Sequence, residues 1–207
     1  MASLSRADDR PIRRHDLIFV SPAGWRSLLE TRADLAADAF VALWADRGWP
    51  LIGRRAAPGE AHGVPLGLPL PPSAGKRRLA LLAQAEDIAS ASPPPALKSA
   101  RGAAPPAWQP TLDALDALAS RHSVDVRLFG SLAWQVLTGL DYLTDRSDLD
   151  LLLHVHHDTD IHRLTTELAA RGRRADADRW GAGPLRRRRC QLARVSRRWK
   201  GHPRQDP

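Results

Sequence analysis

The chain has 207 residues, 43% of them hydrophobic, with 31 basic and 23 acidic side chains and a formal net charge of +8. That length allows one large domain or two small ones with a real core. A single cysteine excludes an intramolecular disulfide framework and a cysteine-rich zinc site. The polar start MASLSRADDRPIRRHD lacks the apolar stretch of a signal peptide, and no long uncharged apolar run follows. No membrane partner is expected, and the cytoplasm is the expected compartment. The positive charge is uneven: thirteen of the 31 basic residues lie at or beyond Arg171, against three acids there. The rest of the chain is close to neutral, so the basicity belongs to the tail and no nucleic-acid partner is expected.

In chain order, Arg14-His15-Asp16 is a polar lead-in to a strand at Leu17–Val20. Ser21 reads as a helix N-cap with Pro22 at the first helical position, and Gly24 to Glu30 as the helix. Leu35 to Trp44 is Ala-rich and reads as one helix. Gly48-Trp49-Pro50 is a turn, and Leu51 to Arg55 a short strand ending in two arginines. Val64 to Pro72 is held extended by its prolines. Gly75-Lys76-Arg77-Arg78 is a basic turn leading into a strand or helix.

Residues 89–107 are rich in Pro and Ala and read as a linker. It separates an N-terminal part, 1–88, from a second part, 108–178. In the second part, Trp108 to Arg121 has helical spacing, with Leu112, Leu115 and Leu118/Ala119 inward. Val126 to Phe129 is a short strand, broken by Gly130-Ser131. Leu132 to Leu137 is a helix ending near Gly139. Asp148-Leu149-Asp150 alternates acid and apolar residues before continuing into Leu151–Leu153 as a buried strand. Ile161 to Arg171 is a second amphipathic helix, with Ile161, Leu164 and Leu168 inward.

Periodicity stops near Arg179, and residues 179–207 form a basic tail with an Arg quartet. A genuine basic tail and a shifted reading frame both account for it. Back-translated with GC-rich codons, Gly181 to Gly201 permits, one base out of frame, a turn, a strand and the start of a helix.

The chemistry lies in Asp148 and Asp150. Side chains at i and i+2 of a strand share a face, roughly 7 Å apart along it. Two carboxylates so placed repel unless a cation lies between them. Mg²⁺ takes hard oxygen ligands and shares them with substrate phosphates. Gly130-Ser131 stands where a strand ends and a helix begins, where backbone N–H groups and the helix dipole favour a phosphate. The combination points to phosphoryl or nucleotidyl transfer.

Lys76 and Arg77, and Arg55 with Arg54 beside it, are candidate anion contacts. GLPLPPSAGK is not a P-loop, because its spacing and the residue after the lysine are wrong. His154, His156, His157 and His162, with Asp158 and Asp160, have the composition of a transition-metal site, but His154 and His156 simply alternate out of a strand into a loop. The tryptophans read as packing, with Trp134 near the Gly-Ser turn.

Four stretches carry a resemblance: RHDLIFVSPAGW at 14–25, GWPLIGRR at 48–55, VPLGLPLPPSAGKRRLAL at 64–81 and FGSLAWQVLTGLDYLTDRSDLDLLL at 129–153. In these the chain resembles the malonate decarboxylase holo-[acyl-carrier-protein] synthases, also called phosphoribosyl-dephospho-CoA transferases, over about residues 13–178. The resemblance implies a nucleotidyltransferase-superfamily fold. The expected class is α/β (α+β): a nucleotidyltransferase-like mixed sheet with flanking helices, and a smaller N-terminal α/β domain binding donor and carrier. It implies Gly130 and Ser131 as the phosphate-binding turn, and Asp148 and Asp150 as catalytic metal ligands. A third acid is implied on a later strand, with Asp176 or Asp178 as candidates. The implied donor is 2′-(5″-triphosphoribosyl)-3′-dephospho-CoA, the acceptor a serine of the malonate decarboxylase acyl-carrier subunit, and the by-product diphosphate. The acid pair alone also fits an ATP-dependent small-molecule nucleotidyltransferase. The basic tail alone fits a non-catalytic nucleic-acid-binding protein.

Overall fold

A computed structural model describes residues 12–60, 62–177 and 195–197, with side chains described through residue 170. The chain divides into two compact units. The first holds the residues up to Pro94 together with Leu140–Tyr142; the second runs from Pro95 to Gly139 and from Leu143 onward. The class is mixed α and β, as expected.

The first unit begins with β1 (Leu17–Val20) and α1 (Pro22–Glu30). The Ser21 hydroxyl accepts the Gly24 N–H at 3.0 Å, so the expected N-cap forms. Gly24 is where α1 passes over the chain at Asp87: a Cβ there would meet Asp87 Cβ at 2.6 Å and its carbonyl oxygen at 2.8 Å. The single helix expected over Leu35–Trp44 is instead two, α2 (Ala33–Ala36) and α3 (Ala39–Asp46). The break has a local cause. Asp38 adopts an extended backbone and its carboxylate accepts the Phe40 N–H at 2.9 Å, which starts a new helix.

After these come β2 (Leu51–Gly53), β3 (Val64–Pro69), β4 (Arg78–Ala83) and β5 (Ile88–Ser92). The five strands form one antiparallel sheet in the order β4-β3-β2-β1-β5. Ile18 lies opposite Leu51, Gly53 opposite Leu66, and Leu66 opposite Leu81, so these side chains share one face. Ile18, Leu51, Leu66 and Leu81 are almost fully buried, as are Trp25, Leu28, Leu35, Val41 and Trp44 of the helices. Trp44 has no solvent exposure. Its indole N–H donates to the Pro50 carbonyl at 3.1 Å, and its ring stands edge-on to Trp49 with centroids 5.2 Å apart. Leu140–Tyr142 adds a late contact to this unit: the Tyr142 hydroxyl donates to the Pro69 carbonyl at 2.7 Å. Burial pushes that phenol well above its usual range.

The second unit starts inside the stretch expected as a linker. Residues 88–92 of that neighbourhood are the edge strand β5, and Leu97, Ala100 and Ala104 are buried in the second unit's core. The core continues with α4 (Gln109–Arg121), which turns Leu112, Leu115, Leu118 and Ala119 inward as its spacing predicts. Next come β6 (Asp125–Phe129), α5 (Gly130–Thr138), β7 (Asp150–Val155) and α6 (Ile161–Ala177). Gly139 takes a left-handed conformation and its N–H bonds the Gln135 carbonyl, ending α5 where expected. β6 and β7 are antiparallel, and β8 (Val195–Arg197) lies parallel to β7, with Leu153 opposite Val195. A strand at 195–197 is an element that the aperiodic tail does not announce; residues 178–194 and 198–207 lie outside the described residues.

Candidate functional site

The site is built on the β6–α5–β7 stretch of the second unit. Register fixes which residues meet. Asp125 lies opposite His154, Arg127 opposite Leu152, and Phe129 opposite Asp150. On the other face, Val126 and Leu128 oppose Leu153 and Leu151, and all four enter the hydrophobic core. The two faces thus differ, although Leu152 on the second is itself buried. One is sealed by α4, α5 and α6. The other carries Asp150, Phe129, Leu152, Arg127, His154 and Asp125.

Asp148 lies two residues before Asp150. It was expected inside the strand, but the ladder begins at Asp150. Its side is nonetheless settled by its neighbour: Leu149 is 5% exposed and belongs to the core, while Asp148 and Asp150 are half-buried. The run therefore alternates as the sequence predicts, and both carboxylates lie off the core. The preceding loop is tied by Ser147, whose buried hydroxyl accepts the Thr144 N–H at 2.8 Å.

Gly130 joins this face to the helix. Its φ is +69°, a left-handed value that strains any residue with a Cβ. Space forbids one as well. A Cβ on Gly130 would fall on an Asp150 carboxylate oxygen, with the Asp150 Cγ at 2.9 Å and Cβ at 3.1 Å. The Asp150 carboxylate thus stands directly over the first residue of α5. The first turn of α5 has no acidic residue of its own, and its N-cap is Phe129, whose side chain has no oxygen with which to cap. Gly130, Ser131 and Asp150 are therefore one local cluster at a helix N-terminus, and Asp148 lies two residues before Asp150 in the chain. Such a terminus favours negative charge, which suits both a carboxylate and a substrate phosphate.

The donor set fits Mg²⁺. That ion is held by one or two carboxylates together with water and substrate phosphates, and Asp148 and Asp150 are the residues that would hold it. Among the described residues, no group of three or more His, Cys, Asp or Glu side chains converges. The candidate third acid Asp176 falls in α6 and not on a strand, and Asp178 lies outside the described residues. His154, His156, His157 and His162 are accordingly not gathered into one metal group.

The basic candidates lie in the first unit, and they do not form one cluster there. Arg54 hydrogen-bonds the Pro65 carbonyl through its N–H at 3.0 Å, at the start of β3. Pro69, at the other end of β3, opposes Arg78. Arg55 and the Lys76–Arg77 turn therefore sit at opposite ends of the sheet, separated by about 13 Å along β3 at ~3.3 Å per residue. Arg54 is consumed by structure. Its guanidinium pairs with Glu60 at 2.6 and 2.7 Å and donates to the Leu66 and Leu81 carbonyls. That pairing holds the Glu60 carboxyl down at about 2. Arg55 is exposed. Lys76 is exposed with φ +53°, and Arg77 pairs with Asp38 at 2.5 Å. Asp38, the cap of α3, is lowered below the usual carboxylate range, chiefly by that arginine.

Comparison with known proteins shows the family. Residues 13–94 match the family model described as phosphoribosyl-dephospho-CoA transferase MdcG N-terminal domain, and residues 96–179 match its C-terminal domain. A protein of Bradyrhizobium diazoefficiens named phosphoribosyl-dephospho-CoA transferase is 59% identical over 170 residues, covering 82% of this chain and 75% of the relative. One of Xanthomonas campestris pv. campestris with the same name is 39% identical over 168 residues, covering 75% of this chain and 79% of the relative. No solved structure matches. The cluster at Gly130, Ser131, Asp148 and Asp150 falls in the region matched by the C-terminal model, and Arg55, Lys76 and Arg77 in that matched by the N-terminal model.

Proposed function

Because this chain belongs to the phosphoribosyl-dephospho-CoA transferase family, we propose that it moves the phosphoribosyl-dephospho-CoA group from 2′-(5″-triphosphoribosyl)-3′-dephospho-CoA to a serine of the malonate decarboxylase acyl-carrier subunit. The serine hydroxyl oxygen attacks the phosphorus nearest the ribose. A Ser–O–P bond forms, the bond to the outer two phosphates breaks, diphosphate leaves, and the hydroxyl proton is released. The reading places the chain in the nucleotidyltransferase superfamily.

One observation carries it: the Asp150 carboxylate stands over the glycine that opens α5. Gly130 and Ser131 would seat a donor phosphate on the first N–H groups of α5. Asp148 and Asp150 would hold Mg²⁺. When bound, that ion would neutralise charge on the reacting phosphate and steady the leaving diphosphate. The apolar core behind β6 and β7 fixes the strands, so the Asp150 carboxylate, at the first position of β7, is held on a rigid support. In the first unit, Lys76 and Arg77 would contact donor phosphates, Arg77 by sharing its guanidinium with Asp38. Arg55, at the other end of that sheet, would meet a different part of the donor.

The test is incubation with the triphosphoribosyl donor, apo-carrier subunit and Mg²⁺, followed by mass spectrometry of the carrier. A mass gain equal to the prosthetic group is expected, with diphosphate released in equal amount and both lost in EDTA. An unchanged carrier mass, with a control transferase loading the same batch, overturns the reading.

A further inference from the structure

The face that carries Asp150 also carries a cation that the acid motif does not include. Arg127 is two residue pairs along the ladder from Asp150: Phe129 opposes Asp150, and Arg127 opposes Leu152. Strand alternation puts Asp150, Phe129, Leu152 and Arg127 on the same side. Arg127 is therefore the diagonal neighbour of Asp150, about 7 Å away and within reach of a long side chain. Its backbone is held on both edges, by β7 and by the short bridge to Ala96, and the Leu128 N–H bonds the Pro95 carbonyl at 2.8 Å.

The side chain is held as well. Arg127 Nε donates to both carboxylate oxygens of Asp125 at 2.9 Å, two positions earlier on the same strand and on the same face. The Arg127 side chain is 25% exposed and that of Asp125 41%, so the pair is reachable from solvent. Asp125 grips the guanidinium at Nε, the end nearest the backbone. That bond restrains the side chain, which lowers the entropy lost when it meets a phosphate.

The charge of the face calls for such a group. Asp148, Asp150 and Asp125 are three acids, and the donor proposed above brings a triphosphate. Mg²⁺ on Asp148 and Asp150 would offset part of that charge. Among the face positions in the β6–β7 register, Arg127 is the arginine. Resting on the transferase reading of this site, we propose that Arg127 is a substrate-binding residue for the donor's polyphosphate, with Asp125 as its positioning residue. The guanidinium takes the outer phosphates, those that leave as diphosphate, while the phosphorus under attack stays at Gly130 and Asp150. This polarity orients the donor along β6.

The variants are R127Q, R127K and D125N in the full chain, with R101Q as control; Arg101 pairs with Asp113 on the exposed surface of the second unit. Two measurements are made. The first is the thermal shift of each protein with Mg²⁺ and inorganic diphosphate. Wild type and R101Q are expected to be stabilised by diphosphate, with R127Q losing that shift, and R127K, which keeps the charge but not the fork, showing a reduced one. The second is transfer kinetics. R127Q is expected to raise the donor KM about tenfold to a hundredfold, the range of a charged hydrogen bond. D125N should raise it less, because it loosens the arginine without removing it. If R127Q keeps the wild-type diphosphate shift and donor KM, Arg127 is only a structural pair and the inference is overturned. Failure of the wild type to load the carrier at all would instead sink the transferase reading, so the two failures are distinct.

Discussion

In the first unit the arginines serve the backbone they come from. Arg54 bonds Glu60 and two strand carbonyls, and Arg77 bonds the carboxylate that caps α3. In the second unit the acids of the motif lie off the core, and the Asp150 carboxylate stands over a helix start that has room for it only because residue 130 is glycine. Cations scattered over two ends of a sheet and tied to acids do not by themselves make a site. On the proposed reading the reacting atoms belong to the second unit, and the first serves binding and structure.

The largest expected effect is at Gly130. G130A adds a Cβ at positive φ and onto the Asp150 carboxylate, so both the turn and the acid must move. Transfer should fall by at least about a hundredfold, in line with a misplacement near 1 Å, and the melting temperature should also drop. Retention of wild-type transfer would separate Asp150 from the reaction.

W44A is next, and it addresses the other unit. Trp44 has no exposure, and its removal costs about 3–5 kcal/mol through cavity and lost burial. Chemical denaturation should show this loss in the first unit's transition. W25F is the matched comparison. The buried Trp25 indole nitrogen has no hydrogen-bond partner among the described residues, so its replacement should cost less than W44F, which deletes the bond to Pro50. Equal losses would show that the Pro50 bond adds nothing.

The Glu60 carboxyl gives a smaller, pH-dependent effect. Its value falls from 4.5 to about 2 in the fold because Arg54 bonds it. A depressed carboxylate contributes stability above its unfolded value, and that contribution is lost as pH falls from about 4.5 toward 2. E60Q should flatten this part of the stability profile, read by urea titration across that range. R55Q is the smallest: an exposed arginine whose loss should change stability by less than about 0.5 kcal/mol. Its donor KM then reports directly on the proposed contact.

Local signals made much of this legible from sequence. Ser21 with Pro22, the Leu112–Leu115–Leu118 spacing, the strand before Gly130 and the stop at Gly139 each form as read, because each is decided by neighbours within a few positions. What failed depended on distant partners. Leu97, Ala100 and Ala104 are too sparse to show a period, yet tertiary packing buries them. Asp38 looks like a surface acid in an Ala-rich helix until it caps Phe40 and meets Arg77, 39 positions away. Alternation alone puts Arg127 and Phe129 on one face of their strand. Only the register with β7 puts them beside Asp150, and register between strands more than twenty residues apart is not written locally.

The central claim is that Asp150 at the Gly130 turn performs the transfer. The direct measurement is the rate at which D150N loads the apo-carrier, followed by mass spectrometry at saturating donor and Mg²⁺. The account predicts a fall of several orders of magnitude, with a melting temperature close to wild type. A folded D150N that loads the carrier at the wild-type rate would contradict it.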